Sequence, residues 1–167
     1  MKIIDRARIE DEMIDGLDLN GMDLSFSDLS QVIGDRIFAN DVHFRGSAFV
    51  EVSFRDCEFT AANFESCNFK SADIADCALS KANFSKSQMR YAEIKISTCI
   101  ETCFDEVDWY RGNVAGTTFF QKTFFPARFT ANRAPAADFY QTALSGAVLS
   151  HGQLVKSVFF LKGFAEG

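Results

Sequence analysis

From Ser47 to Thr117 every fifth position holds an interior residue, and the first ten of these are large and apolar: Phe49, Phe54, Phe59, Phe64, Phe69, Ile74, Leu79, Phe84, Met89 and Ile94. Two places before each stands a smaller one: Ser47, Val52, Cys57, Ala62, Cys67, Ala72, Cys77, Ala82, Ser87 and Ala92. A helix repeats about every 3.6 residues and a strand every two, so this period belongs to neither. A short repeat of fixed length predicts a solenoid. Within each unit the small and large residues are separated by one outward residue, which is strand-like alternation. The next two residues are polar in most units, as at Glu65-Ser66 and Ser85-Lys86, and must form a corner. Each unit is therefore predicted to be a very short strand and a turn, so the chain coils. A narrow tube cannot hold two large residues per unit at native density, which accounts for the small partner.

The register runs from Ile4 to Phe164 without a slip: of 33 centre positions 29 are large and apolar, the exceptions being Gly34, Ala39, Cys99 and Ala134. Two stretches depart from the size pattern. Between Gln31 and Asp41 the sizes invert, with Val32 and Ile37 at small positions and Gly34 and Ala39 at large ones, which predicts a distorted coil or a short excursion. Around Pro126 and Pro135 polar residues enter small positions, with both prolines on corners, where a missing N–H matters least. Residues 150–163 read two ways. Ser150 and Gln153 form a capping box, Gly163 a stop, and Leu154, Val155, Val158 and Phe159 an apolar helical face. Alternatively the coil continues through Leu154, Phe159 and Phe164, with Gly152 and Ser157 as small partners. The expected organisation is a repeat domain over 1–149 and a cap or dimerisation segment over 150–167, helical on the first reading.

The units Ala62-Asn63-Phe64, Ala72-Asp73-Ile74 and Ala82-Asn83-Phe84 resemble the pentapeptide-repeat family, whose consensus is Ala-(Asp/Asn)-(Leu/Phe)-x-x. The resemblance implies an all-β fold, a right-handed quadrilateral β-helix with twenty residues per coil. On that basis the chain makes about eight coils, a rod of roughly 40 Å at ~4.8 Å per coil. Phe44, Phe64, Phe84, Phe104 and Phe124 then share one interior column.

Charge adds a direction. Residues 1–84 carry sixteen acidic and eight basic side chains, a balance of −8, and residues 85–167 seven and nine, a balance of +2; together these give the net −6. A rod without a sizeable basic patch is a poor ligand for nucleic acid. Cys57, Cys67 and Cys77 fall on small interior positions, Cys99 on a centre, and Cys103 alone faces outward, so the coil explains the thiols. No paired ligand spacing exists, and His43 and His151 are the two histidines, so no metal site or cofactor is expected. Nor is catalysis, because 22 of 23 carboxylates lie at outward positions, Glu12 being the exception. Lys2, Asp5, Arg6 and Arg8 interrupt the opening Ile3-Ile4, so no leader or membrane span is expected, and the chain is read as cytoplasmic.

The Phe-rich centres and the units Asp56-Cys57-Glu58-Phe59 and Ser66-Cys67-Asn68-Phe69 are similar to the Qnr-type quinolone-resistance branch of the family. That similarity implies a DNA mimic binding DNA gyrase or topoisomerase IV where duplex DNA would lie. Qnr-type proteins are longer and many carry projecting loops, whereas nothing interrupts the period here. A protein-interaction scaffold or effector adaptor with an unrelated partner is the alternative. Sorted at twenty residues per coil, the densest acidic face stacks Asp56 on Asp76 and Asp73 on Glu93, the expected partner-binding residues. One corner column, Asn20, Asn40, Thr60, Ser80, Ile100, Phe120, Tyr140 and Phe160, turns from polar to apolar along the rod. With Leu154, Val158, Phe159 and Leu161 nearby it predicts a two-fold homodimer joined through the C-terminal end. A terminal helix folded back over Phe120 and Tyr140 is the competing expectation.

Overall fold

The computed structural model describes residues 12–121 continuously, and beyond them residue 137 and four strands. The first face stacks β1 (Met13–Asp15), β2 (Ile33–Asp35), β3 (Ser53–Arg55), β4 (Asp73–Ala75) and β5 (Glu93–Lys95) as a parallel sheet. There follow β6 (Thr98–Ile100), β7 (Asp108–Tyr110), β8 (Thr118–Phe120), β9 (Arg128–Thr130), β10 (Asp138–Thr142), β11 (Val148–Ser150) and β12 (Val158–Leu161). Of these, β6, β8, β10 and β12 form a second sheet and β7, β9 and β11 a third. Isolated bridges fill the other faces, as in the series Asp23, His43, Asn63, Asn83, Cys103. Nearly every pairing joins residue i to i+20, so four five-residue sides make one coil. The 110 continuous residues amount to five and a half coils (110/20). The chain is an all-β, four-sided solenoid.

All 22 centre positions from Ile14 to Phe119 are buried. The expected column is present: Phe44, Phe64, Phe84 and Phe104 stack with successive centroid distances of 5.2, 4.8 and 5.2 Å, while Phe124 lies outside the described residues. A second stack pairs Phe49 with Phe69 at 4.8 Å.

The polar letters of the repeat also have assignments. Asp or Asn between the small and large residues accepts the N–H two residues on, as Asp23 does from Ser25 (3.0 Å) and Asn63 from Glu65 (3.0 Å), which fixes the corner. Small residues bearing a hydroxyl or thiol donate down the tube to a carbonyl of the preceding coil. Ser87 Oγ donates to Phe64 O (2.7 Å), Thr102 Oγ1 to Leu79 O (2.7 Å) and Cys67 Sγ to Phe44 O (2.9 Å). Buried Ser and Thr are thereby satisfied, and Cys67, Cys77 and Cys99 have thiols pushed upward, Cys67 to about 12 by burial.

The second corner residue is left-handed in every coil: 22 residues spaced by five, 18 of them not glycine, with φ between 49° and 64° in those 18. Such a conformation disfavours L-residues by roughly 1–2 kcal/mol each. It persists because the same residue's N–H bonds to the next coil, as from Ala61 to Ser80 O (2.8 Å) and from Ile96 to Ala115 O (2.9 Å).

Two expectations are corrected. Residues 31–41 neither bulge nor distort: β2 pairs in register on both sides. A Cβ at Gly34 would collide with Ile37 Cδ1 and lie 2.9 Å from Phe54 Cδ1, so Val32 and Ile37 fill the volume that Gly34 and Ala39 leave. Among the described residues the C-terminal helix is also absent. Val158–Leu161 is a strand paired with β10, Phe159 opposite Phe139 and Phe160 opposite Tyr140, with one irregularity between Tyr140 and Thr142. The exposed edge of the previous coil offers a ladder to the next segment, and the unbroken fivefold register lets it pair there. Leu154, the stretch around Pro126 and Pro135, and the chain before residue 12 lie outside the described residues.

Candidate interaction surfaces

The acidic half has a duplex-like charge density. Residues 12–84 carry 13 acidic and 5 basic side chains, a net −8. Their 73 residues make about 3.7 coils, or roughly 18 Å at ~4.8 Å per coil. That is about one net charge per 2.2 Å, against one per ~1.7 Å along duplex DNA. Residues 85–121 carry five acidic and four basic groups, a net −1, so the density falls steeply along the rod.

The expected partner-binding carboxylates divide into two kinds. The backbone register sets Asp73 opposite Glu93, as anticipated. Asp73 is held between Arg55 Nη2 (2.6 Å) and Lys95 Nζ (3.0 Å), and Lys95 also reaches Glu93 at 2.6 Å. Burial pushes the Asp73 carboxyl up, but its bonds to Arg55 and Lys95 outweigh this and hold it below the usual range. Asp56 and Asp76 are exposed, and act through space on Arg36 and Arg55 respectively. This face is thus a ladder of alternating charge with Asp56 and Asp76 along its corner, a pattern that composition by face could not show.

The apolar corner column is aligned by the backbone. Ile100 pairs with Phe120, Phe120 with Tyr140 and Tyr140 with Phe160. Ile100 is exposed and Phe120 half-buried. Val158 and Leu161 flank Phe160 in β12, whereas Phe159 occupies the register position of Phe119, which is buried.

His43 is exposed, Cys103 half-exposed and the other four cysteines buried. No helix among the described residues is long and apolar enough to cross a membrane.

The family model for pentapeptide repeats matches residues 40–74 and 67–95, in eight copies. Residues 40–95 carry pentapeptide repeats. The i to i+20 pairing extends the same architecture on both sides of the matched residues, from β1 to β12. No curated protein matches this chain by sequence. Among solved structures it is similar to a trypsin-treated variant of QnrB1, a plasmid-mediated fluoroquinolone resistance protein, with a TM-score of 0.53 and 18% identity over 84% of this chain and 88% of that one. Full-length QnrB1 gives a TM-score of 0.49 at 14% identity, covering 84% and 92%. Rfr23, a pentapeptide repeat protein from the cyanobacterium Cyanothece 51142, gives 0.40 at 10%, covering 96% and 99%. At 18% identity the first likeness concerns the fold alone.

Proposed function

We propose that this pentapeptide-repeat protein is a non-catalytic binding protein whose acidic coils occupy the duplex-DNA site of a type II topoisomerase, DNA gyrase or topoisomerase IV. The observation that carries the reading is the charge density of residues 12–84, one net negative charge per about 2.2 Å of solenoid at ~4.8 Å per coil. A groove lined to receive one phosphate per ~1.7 Å is complementary to it. The exposed Asp56 and Asp76 supply carboxylates for such a groove, and Asp73 and Glu93 do so where a partner's cations compete with Arg55 and Lys95. Such a partner is cytoplasmic. A homodimer through Ile100, Phe120, Tyr140 and Phe160, with Leu154, Val158, Phe159 and Leu161 beside them, would set the acidic halves at opposite ends of a longer rod.

A supercoiling assay with purified gyrase, with and without a quinolone, tests the reading. Micromolar protein is expected to slow supercoiling, and Asp56→Lys/Asp76→Lys to weaken the effect. Unchanged supercoiling at low salt would leave the interaction-scaffold reading in its place. Sedimentation of wild type against Phe120→Glu/Tyr140→Glu tests the dimer: a wild type that stays monomeric at tens of micromolar refutes it.

A further inference from the structure

A cationic and aromatic cluster interrupts the acidic rod on its fourth face. The backbone stacks Lys70, Arg90 and Tyr110 in the first corner column and Tyr91 beneath Arg111 in the second, with Ser71 N–H bonded to Arg90 O (2.9 Å) and Tyr91 N–H to Tyr110 O (2.7 Å). Two guanidinium groups lie over the Tyr110 ring, Arg90 at 5.4 Å and Arg111 at 5.3 Å from its centroid, and Tyr91 meets it edge-on at 6.0 Å. Arg36, Arg45, Arg55, Lys86 and Lys95 all enter ion pairs. Among the described residues Lys70, Lys81, Arg90 and Arg111 enter none, although the chain has acid in excess, and three of these four fall in this cluster. Among the described residues the acidic group in these two columns is Glu51, which accepts from Gln31 (3.4 Å), and the adjoining outward column carries Asp28 and Asp108 at its two ends. Beside Arg90 lies a surface hollow of about 330 Å³ lined by Asn68, Lys70, Gln88, Arg90 and Tyr91.

We infer that this cluster is a second docking site, for a short Glu/Asp-rich segment of a protein partner. A guanidinium in cation–π contact with a ring keeps N–H groups available for a carboxylate, and the contact with Tyr110 pre-orients both arginines. Tyr91, 42% exposed, and the amides of Asn68 and Gln88 give the hollow an apolar wall and neutral hydrogen-bonding groups. Three cations within about two coils, roughly 10 Å, match two or three carboxylates. A longer polyanion such as nucleic acid would run beyond a Debye length of ~8 Å into the acidic half and be repelled. The site does not depend on the topoisomerase reading, since it uses other residues and a partner of opposite charge.

A nitrogen-15 NMR titration of the full chain with a hexaglutamate peptide at low salt tests it. Saturable shifts are expected at residues 70, 90, 91, 110 and 111. Affinity should fall at least tenfold in Arg90→Ala/Arg111→Ala and be unchanged in Lys81→Ala, an exposed lysine elsewhere on the rod. Absent shifts, shifts spread equally over Lys81 and Lys86, or tighter binding of a single-stranded oligonucleotide at the same residues would each overturn the assignment.

Discussion

Phe84 sits at the middle of the described aromatic column, and its truncation measures what the column contributes. The ring is fully buried, stacked 4.8 Å from Phe64 and 5.2 Å from Phe104, and tilted against Phe69 at 5.4 Å. Phe→Ala substitutions in cores cost about 3–5 kcal/mol, the larger values where neighbours cannot collapse into the space. Here the rings above and below are fixed by coils whose spacing is set by backbone hydrogen bonds, so collapse is restricted. Two stacked pairs are also lost, each worth about 0.5–1.5 kcal/mol beyond burial. Phe84→Ala is therefore expected to lose about 4 kcal/mol or more, read as a fall in Tm of roughly 8–16 °C for a chain of this size. Denaturation followed by circular dichroism measures it, with Phe26→Ala as control, since Phe26 is 78% exposed and should shift stability by under ~0.5 kcal/mol. Because a solenoid couples only neighbouring coils, hydrogen exchange should rise first in the coils of Phe64 and Phe104. A loss for Phe84→Ala below about 1.5 kcal/mol would refute the stacked-core argument.

Other consequences follow from single positions. Ile96 is β-branched, exposed and left-handed at φ 52°, so Ile96→Asn should raise stability by about 1 kcal/mol in urea denaturation; a loss would mean the side chain packs more than its exposure indicates. Gly34→Ala should cost about 1–3 kcal/mol by overpacking against Ile37 and Phe54, and Gly34→Ala/Ile37→Ala should recover much of it if the two positions share one volume. The lowered Asp73 carboxyl contributes stability that is present above the ordinary Asp value of ~3.9 and is lost as pH falls through its lower folded value. Stability should accordingly drop below about pH 4, and Asp73→Asn should shrink that drop; an identical acid limb in the variant would count against the Arg55–Asp73–Lys95 bridge.

The interior was legible in the chain because burial is periodic: one large residue per five, in one phase, places Phe44 above Phe64 whatever the corners do. Corner chemistry was not. Eighteen left-handed residues include Lys81, Tyr91 and Ile96, which carry no turn preference, since the inter-coil ladder overrides local propensity. The terminal segment misled for a related reason. Leu154 and Phe159 are five apart, while Val155 and Val158 complete a helical stripe, so both periods fit until β10 offers its edge. Gly34 looked like a defect because size was judged one position at a time, whereas Ile37 and Phe54 fill its space from neighbouring units. The cationic cluster was overlooked because its members are dispersed; the signal was the spacing of twenty between Lys70 and Arg90, and between Tyr91 and Arg111.

Displacement of DNA from its enzyme bears most directly on the functional proposal. A short fluorescent duplex bound to purified gyrase would be titrated with the protein, with anisotropy as the readout. Competitive release of the duplex is expected, weakened by salt and by Asp56→Lys/Asp76→Lys. A duplex that stays bound at saturating protein, whether or not a ternary complex forms, would contradict the claim that these acidic coils occupy the DNA site.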